Sequence, residues 1–189
     1  METTKWRIDA ITMAIDSVKT GVNYFQVPAL AEFCLLQFRY CCELIAIGCI
    51  AIHKDVPQTR RFQKMWNAHE IMSAFEKIKP QFFPHPIRSE ETSKDKWIQH
   101  PVDGALTKDE LIRMYNFFGG LLHTGTFEAF ADPNKKQHDF KMIEDFYDKL
   151  RKLLNEHIYY LYDGKTQVRV LMQDKVTGRV AWNVLQRMS

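Results

Sequence analysis

The segment PALAEFCLLQFRYCCELIAIGCIAIHK, residues 28–54, decides the fold that we expect for this chain. Proline suits the first turn of a helix, and the residues after it are apolar on most sides, which predicts a buried central helix. Glu32, Arg39 and Glu43 interrupt the apolar run. Ionisable groups on a core helix are costly unless they are paired. These three residues therefore form either a structural ion-pair network or the floor of a binding site.

The same segment bears on redox state and location. It holds all four cysteines, Cys34, Cys41, Cys42 and Cys49. Helical positions seven apart are separated by about 10 Å, too far for a disulfide, so free thiols in a reducing compartment are expected. The run 35–52 is the one membrane candidate, but a charge at its centre costs about 2.5–3.5 kcal/mol on insertion. We therefore predict a buried helix, no membrane contact and a cytoplasmic location.

Composition and motifs exclude several classes of function. The 189 residues fit one domain with a small appendage, and a net charge of +3 is below the basic footprint of a dedicated nucleic-acid binder. RNA stays a candidate partner, since this charge permits contact with phosphates. The phosphate-binding, dinucleotide, zincin and hydrolase motifs are missing from the sequence. No cofactor and no metal are predicted.

Apolar spacing predicts four further helices. The first covers residues 4–22. The third covers 59–79, with Phe62, Met65, Trp66, Met72 and Phe75 on its inner face. The fourth begins at a capping box, Thr107–Glu110, and ends at a glycine stop, His123–Gly125. The fifth covers 136–156. Between the third and fourth helices, residues 80–106 contain four prolines and read as an irregular loop.

After residue 164 the apolar period changes from helical to two. Val168, Val170 and Met172 alternate with other residues, a turn follows at 174–178, and alternation resumes at Val180. The fold expected is therefore mainly α: a five-helix up-and-down bundle over residues 1–157, carrying a C-terminal antiparallel β-hairpin or three-stranded meander over 158–189. The hairpin either covers an open end of the bundle or adds a strand from a partner protein.

Two helix faces suggest a site. On a helical wheel Glu32, Arg39 and Glu43 lie near one line, with His53 about 60° away. If the second and fourth helices pack antiparallel, their polar groups converge, and Gly119–Gly120 allows a close approach. The candidate catalytic residues are His123, Arg39, Arg113 and Asn116; the candidate ligand-binding residues are Glu32, Glu43, Tyr115 and His53. Histidine can exchange protons near neutral pH and arginine can hold a phosphate, but an internal polar network fits the same pattern.

Residues 37–53 and 115–125 resemble the core helices of the HEPN superfamily. The resemblance implies a helical bundle, commonly a homodimer, which in many members is a metal-independent ribonuclease of toxin–antitoxin or phage-defence systems and in others is non-catalytic. Active members carry an arginine, a polar residue, four to six spacers and a histidine. Here Asn116 stands seven residues before His123, where the arginine belongs, and Arg113 stands ten before it.

Three functions remain open on this basis. The first is a non-catalytic HEPN-like helical protein that binds a partner protein or a small ligand in a defence or stress system. The second is a metal-independent endoribonuclease that uses His123 with Arg39 or Arg113. The third is a purely structural bundle. The first is preferred, with a homodimer and a protein partner bound through the C-terminal hairpin.

Overall fold

The computed structural model describes residues 1–21, 26–54, 56–93, 96–122 and 140–186. In these ranges the chain forms five α-helices, one 3-10 helix and five strands. In chain order they are α1 (Glu2–Thr20), α2 (Val27–Ile52), the 3-10 helix (Pro57–Lys64), α3 (Ala68–Glu76), β1 (His85–Ser93), β2 (Lys96–Pro101), α4 (Lys108–Leu122), α5 (Phe140–Leu154), β3 (Glu156–Tyr160), β4 (Thr166–Leu171) and β5 (Ala181–Gln186).

The strands form one antiparallel sheet in the order β2-β1-β3-β4-β5. Strands β3, β4 and β5 are consecutive and are joined by residues 161–165 and 172–180. Asp163 and Asp174 shape these connections, because each carboxylate accepts hydrogen bonds from backbone N–H groups two and three residues further on. Strand β1 joins β3 through only two residue pairs, His85 with Ile158 and Pro86 with His157.

The predicted five-helix up-and-down bundle, and with it an all-α fold, is wrong, because the molecule is a mixed α and β structure with a five-stranded sheet. The meander β3-β4-β5 is present, but β1 and β2 enlarge it. Both lie within residues 80–106, where an irregular loop was predicted. Their sequence hides them, since most of β1 is polar and lacks apolar alternation, and Pro86 and Pro101 stand near strand ends where proline is tolerated. The domain boundary predicted after residue 157 falls inside β3.

The helix predicted over 59–79 is also wrong, because it is two elements. Asn67 separates them: its side chain accepts a hydrogen bond from the Glu70 N–H and caps α3. As a result Trp66 is exposed instead of lying on an inner face. The capping box of α4 is confirmed, because Thr107 Oγ1 accepts from the Glu110 N–H at 3.2 Å and Glu110 accepts from the Thr107 N–H at 3.0 Å.

The central position of α2 is confirmed. It packs against α1, α3, α4 and α5, and Phe38 meets the rings of Phe118 and Phe146 at centroid distances of 5.6 and 4.9 Å. Among the described residues α2 alone is long and apolar enough to cross a membrane, but half of its most apolar stretch is buried in the protein. A core helix meets the same criterion, so the cytoplasmic location and the lack of membrane contact stay predictions.

Candidate functional site

The structure brings three of the predicted site residues together where α2 packs against α4. Tyr115 lies between Arg39 and Glu43: its hydroxyl accepts a hydrogen bond from Arg39 Nη2 at 3.2 Å and donates one to Glu43 Oε1 at 3.2 Å. Arg39 Nε and Glu43 Oε1 are 3.6 Å apart. The Arg39 guanidinium also lies over the Tyr115 ring, 4.6 Å from its centroid. We call these three residues the Arg39 cluster.

Helix geometry explains why the Arg39 cluster forms. Arg39 and Glu43 are one turn apart on α2, so they lie on the same side. Gly119 lies one turn beyond Tyr115 on α4, and a Cβ at this position would collide with the Arg39 guanidinium. The missing side chain therefore lets the guanidinium lie against the backbone of α4. Of the two glycines for which a close approach was expected, Gly119 makes it, whereas a Cβ at Gly120 would meet nothing within 4 Å.

The electrostatics of the Arg39 cluster are those of a satisfied network. Burial first, and then the charge of Glu43, raise the pKa of Tyr115, so its hydroxyl keeps its proton at neutral pH and can donate to Glu43. The guanidinium is occupied by an ion pair, a hydrogen bond and an aromatic ring. These contacts fix α2 against α4, and they favour the internal-network interpretation of the α2 charges.

The remaining candidate residues that the structure describes do not join the cluster. Arg113 is exposed and lines a groove between α4 and α5. Asn116 is exposed, and its Nδ2 lies 3.5 Å from His69 Nδ1. Glu32 is exposed two turns before Arg39. His123 lies outside the described residues, so its convergence with Arg39 stays a prediction.

His53 belongs to a different place, the end of α2. Its ring is buried 5.8 Å from the ring of Phe75, measured between centroids. Burial, followed by the charge of Lys79, lowers the pKa of His53 to about 4, so the ring is neutral at pH 7. The same two causes lower the pKa of His85. His53 is therefore a neutral core residue, separate from the Arg39 cluster.

Sequence reasoning missed a second polar cluster, on the sheet. Arg169 Nε and Glu156 Oε1 form an ion pair at 2.6 Å, and the Ser89 N–H donates to Glu156 Oε2 at 3.0 Å. The guanidinium lies over the ring of Trp97 at 4.7 Å. Burial disfavours the Glu156 carboxylate, but the hydrogen bonds from Ser89 and Arg169 outweigh burial and hold its pKa below the ordinary value. We call these residues the Glu156 cluster.

The Glu156 cluster ties the β1–β2 hairpin to the centre of the sheet. Ser89 lies on β1 and Trp97 on β2, whereas Glu156 and Arg169 lie on β3 and β4. Gln99 of β2 adds a hydrogen bond to Gln167 of β4 at 3.2 Å. No sequence signal was available for these contacts, because they require the strand pairing that the irregular-loop interpretation of residues 80–106 excluded.

A third feature is an apolar groove between the antiparallel helices α1 and α2. Its volume is about 520 Å³, and it is lined by Ala10, Met13, Ala14, Ser17, Ala29, Leu30 and Phe33. Large apolar side chains on and beside it are exposed: Trp6 62%, Met13 73%, Phe33 40%, Leu36 37% and Tyr40 38%. We call this surface the α1–α2 groove. The apolar character of α2 predicted burial on most of its sides, so this exposed stripe was not predicted from the sequence.

Comparisons with known proteins found no match for this chain, whether among family models, curated proteins or solved structures. The HEPN resemblance therefore stays a prediction, although the helical bundle that it implied is wrong. Among the described residues no group of three or more histidine, cysteine, aspartate or glutamate side chains is placed to hold a metal ion.

Proposed function

We propose that this chain is a non-catalytic binding protein, and that its α1–α2 groove takes the apolar face of an amphipathic helix from a partner protein. The observation that carries this proposal is the run of exposed apolar side chains along two antiparallel helices. None of the residues that line the groove is ionisable. A charge does lie on the exposed stripe, the Arg7 guanidinium, which is over the rings of Trp6 and Tyr40 beside the groove, at 5.3 and 4.1 Å. The uncharged lining itself selects a partner surface that is also apolar.

The size of this surface suits a protein partner. With about 200 Å² for each large side chain, the five exposed residues present on the order of 500 Å² of apolar surface. That area is at the upper end of the patches found on monomeric proteins, which are often functional. In a standard interface each partner contributes ~800 Å², of which a little over half is apolar. The area of the exposed stripe is close to that apolar part.

The shape of the groove suits a helix. Its lining includes the small residues Ala10, Ala14 and Ala29, and the larger Met13 and Phe33 also line it. Small residues between two ridges let a third helix approach closely, since helices pack by setting ridges into grooves. An exposed methionine adds a flexible surface of the kind that helix-binding grooves use.

Two observations support a binding role over catalysis. Arg39, one of the two candidate cations of the ribonuclease alternative, is committed to Glu43 and Tyr115. Arg113, the other candidate cation, lines a groove with α5 on a different side of α4. The direct test is incubation with RNA in EDTA beside His123→Ala. Cleavage that disappears in that variant would overturn the non-catalytic assignment.

The groove is tested with a synthetic probe. The probe is a labelled 18-residue peptide with leucines along one helical face and alternating lysine and glutamate on the other, and fluorescence anisotropy measures its binding. Met13→Lys and Phe33→Lys should each weaken binding at least tenfold, about 1.4 kcal/mol, because each places a charge in an apolar contact. A scrambled peptide of the same composition should not bind.

Trp66→Lys is the control, since Trp66 is about as exposed as Met13 but lies outside the groove. Equal loss of binding in Trp66→Lys, or equal binding of the scrambled peptide, would contradict the proposal. Sedimentation and vesicle binding of the same variants would reveal an occupant of the groove other than a partner helix. If Met13→Lys converts a dimer to a monomer, the groove holds a second copy of the chain. If the wild type binds uncharged lipid vesicles and Met13→Lys does not, the groove contacts a membrane.

A further inference from the structure

The two edges of the sheet differ in how they are protected. Edge strands carry unpaired backbone groups, and natural proteins protect them with lysine, proline or bulges. The edge strand β2 contains Lys96 and Pro101, and its pairing with β1 is interrupted by an irregularity between Glu91 and Ser93. The opposite edge strand, β5, reads Ala-Trp-Asn-Val-Leu-Gln, with no charge, proline or glycine. Strand β5 is therefore an unprotected edge.

The hydrogen-bond pattern shows which groups of β5 are free to pair. The Met172 N–H donates to the Asn155 carbonyl and the Leu161 N–H to the Thr166 carbonyl, so even-numbered residues at both ends of β4 bond towards β3. Since antiparallel strands alternate, odd-numbered residues of β4 bond towards β5, and their partners on β5 are also odd-numbered. The backbone N–H and C=O groups of Trp182 and Val184 therefore point away from the sheet.

The side chains of the same two residues are also uncovered. Trp182 pairs with Val170 and Val184 pairs with Val168, so all four lie on the side of the sheet that faces the helices. Val170 and Val168 are 4% and 8% exposed, but Trp182 and Val184 are 67% and 56% exposed. The helices thus cover the core-facing side of β4 but leave the same side of β5 exposed.

We propose that β5 pairs antiparallel with β5 of a second copy of this chain, in the register centred on Asn183. Trp182 then lies opposite Val184 of the second copy, and this aromatic–β-branched pair forms twice. On the other side of the sheet Ala181 lies opposite Leu185. The uncharged sequence of β5 is thus complementary to itself, and the result is a continuous ten-stranded sheet in a two-fold dimer.

Neighbouring registers fit less well. Centring the pair on Trp182 requires Val180 to join the ladder, but the Val180 N–H donates to the Glu2 carboxylate at 2.9 Å. Centring it on Val184 places Trp182 opposite the polar Gln186. No residue of β5 lines the α1–α2 groove, so each copy keeps its groove for the partner helix.

A cysteine at the two-fold axis tests the register. In the proposed pairing Asn183 faces its own copy in a non-hydrogen-bonded pair, where Cα atoms are about 4.5 Å apart, within the span of a disulfide. Asn183→Cys should form a disulfide-linked dimer under mild oxidation, seen on a non-reducing gel. The four native cysteines are buried and burial raises the pKa of each, so they contribute little background.

Two cysteine controls locate the contact. Gln186→Cys, on the same strand but about 20 Å from its copy in this register, should remain monomeric on the gel. Ile98→Cys, exposed on the opposite edge strand, should do the same. No cross-linking of Asn183→Cys, or cross-linking as strong in either control, would overturn the proposed pairing.

A proline at the free edge tests the dimer without cysteine. Because the Val184 N–H points away from the sheet, Val184→Pro removes no native ladder bond. It should raise the dimer dissociation constant at least tenfold in sedimentation, with an unchanged circular dichroism spectrum. If proline disturbs the fold, Val184→Lys tests the same edge. A dimer that survives both substitutions would show that the chain associates through a surface other than β5 and would overturn the proposal.

Discussion

The Arg39 cluster and the Glu156 cluster are both ion pairs with an added hydrogen-bond donor, but they differ in closeness and burial. The Arg39–Glu43 pair is 3.6 Å apart, with side chains 24% and 21% exposed. The Glu156–Arg169 pair is 2.6 Å apart, with side chains 7% and 13% exposed. The first is a contact within one helix, reinforced by a neighbouring tyrosine. The second joins β3, β4 and the β1–β2 hairpin, and water reaches it much less.

A charge pattern visible in one helix therefore does not mark the ion pair that matters most for stability. Partly exposed pairs one turn apart contribute a few tenths of a kcal/mol. Removing one member of a buried pair is far more costly, because it leaves the other charge without a partner. We therefore expect the two clusters to respond very differently to the same kind of substitution.

The largest effect is expected for Glu156→Ala. It leaves the Arg169 guanidinium and the Ser89 N–H without their carboxylate, and the free energy of unfolding should fall by about 3–5 kcal/mol. Urea unfolding followed by circular dichroism measures this. Glu90→Ala is the matched control, because Glu90 is exposed and its contact with His100 is long, at 3.8 Å. This substitution should cost less than about 0.5 kcal/mol. A loss below 1 kcal/mol for Glu156→Ala would contradict the assigned role.

The next effect is a pH dependence on the same side of the molecule. His157 is fully buried and follows Glu156 in β3, and burial lowers its pKa to about 4 from 6.5. The unfolded chain therefore binds the proton first as the pH falls, and stability decreases between pH 6.5 and 4, by about 3 kcal/mol at 1.36 kcal/mol per unit. Glu156 adds a further loss when the pH falls through its own lowered pKa.

Unfolding measured in urea from pH 7 to pH 4 checks this slope. His157→Asn should reduce it, because asparagine can still bond the Leu154 carbonyl but does not titrate. His69→Asn, at an exposed position, should leave the slope unchanged. The same slope in wild type and His157→Asn would remove His157 as its source. His53 and His85, whose pKa values are also lowered by burial, would then be the remaining histidine candidates.

The smallest effect is expected in the Arg39 cluster. Tyr115→Phe removes the hydroxyl between Arg39 and Glu43 but keeps the ring under the guanidinium, so it should cost about 1 kcal/mol. Tyr162→Phe, at an exposed tyrosine, should change stability by less than about 0.5 kcal/mol. If Tyr115→Phe cost as much as Glu156→Ala, the contrast between the two clusters would not hold.

Local patterns explain what could be predicted from the sequence. The central helix, the capping box of α4 and the β3-β4-β5 meander depend on residues close together in the chain, and each was found. The meeting of the α2 charges with α4 was also expected, but the face of α4 chosen on the helical wheel was wrong. Arg113 and Asn116 were expected on the face of α4 towards α2, but at 100° per residue they lie about 160° and 100° from Tyr115. They are exposed, while Tyr115 and Gly119 face Arg39.

Long-range pairing explains what could not be predicted. Strand β1 has few apolar residues, so its period gives no signal, and its place in the sheet depends on contacts with β3 more than 70 residues later. The Glu156 cluster needs that pairing before its members meet. His53 falls near the charged line of α2 on a wheel, but it is the residue at which the helix ends, and its ring turns into the core beside Phe75.

The sheet order has a consequence for folding. The β3–β5 meander can close within some thirty residues, whereas β1 must wait until α4, α5 and β3 have been synthesised. During that interval the β1–β2 hairpin stands without a neighbour on either side. Its charged residues, Arg88, Glu90, Glu91 and Lys96, then discourage pairing with other nascent chains. The polar sequence that concealed these strands from pattern reading thus protects the chain while its sheet is incomplete.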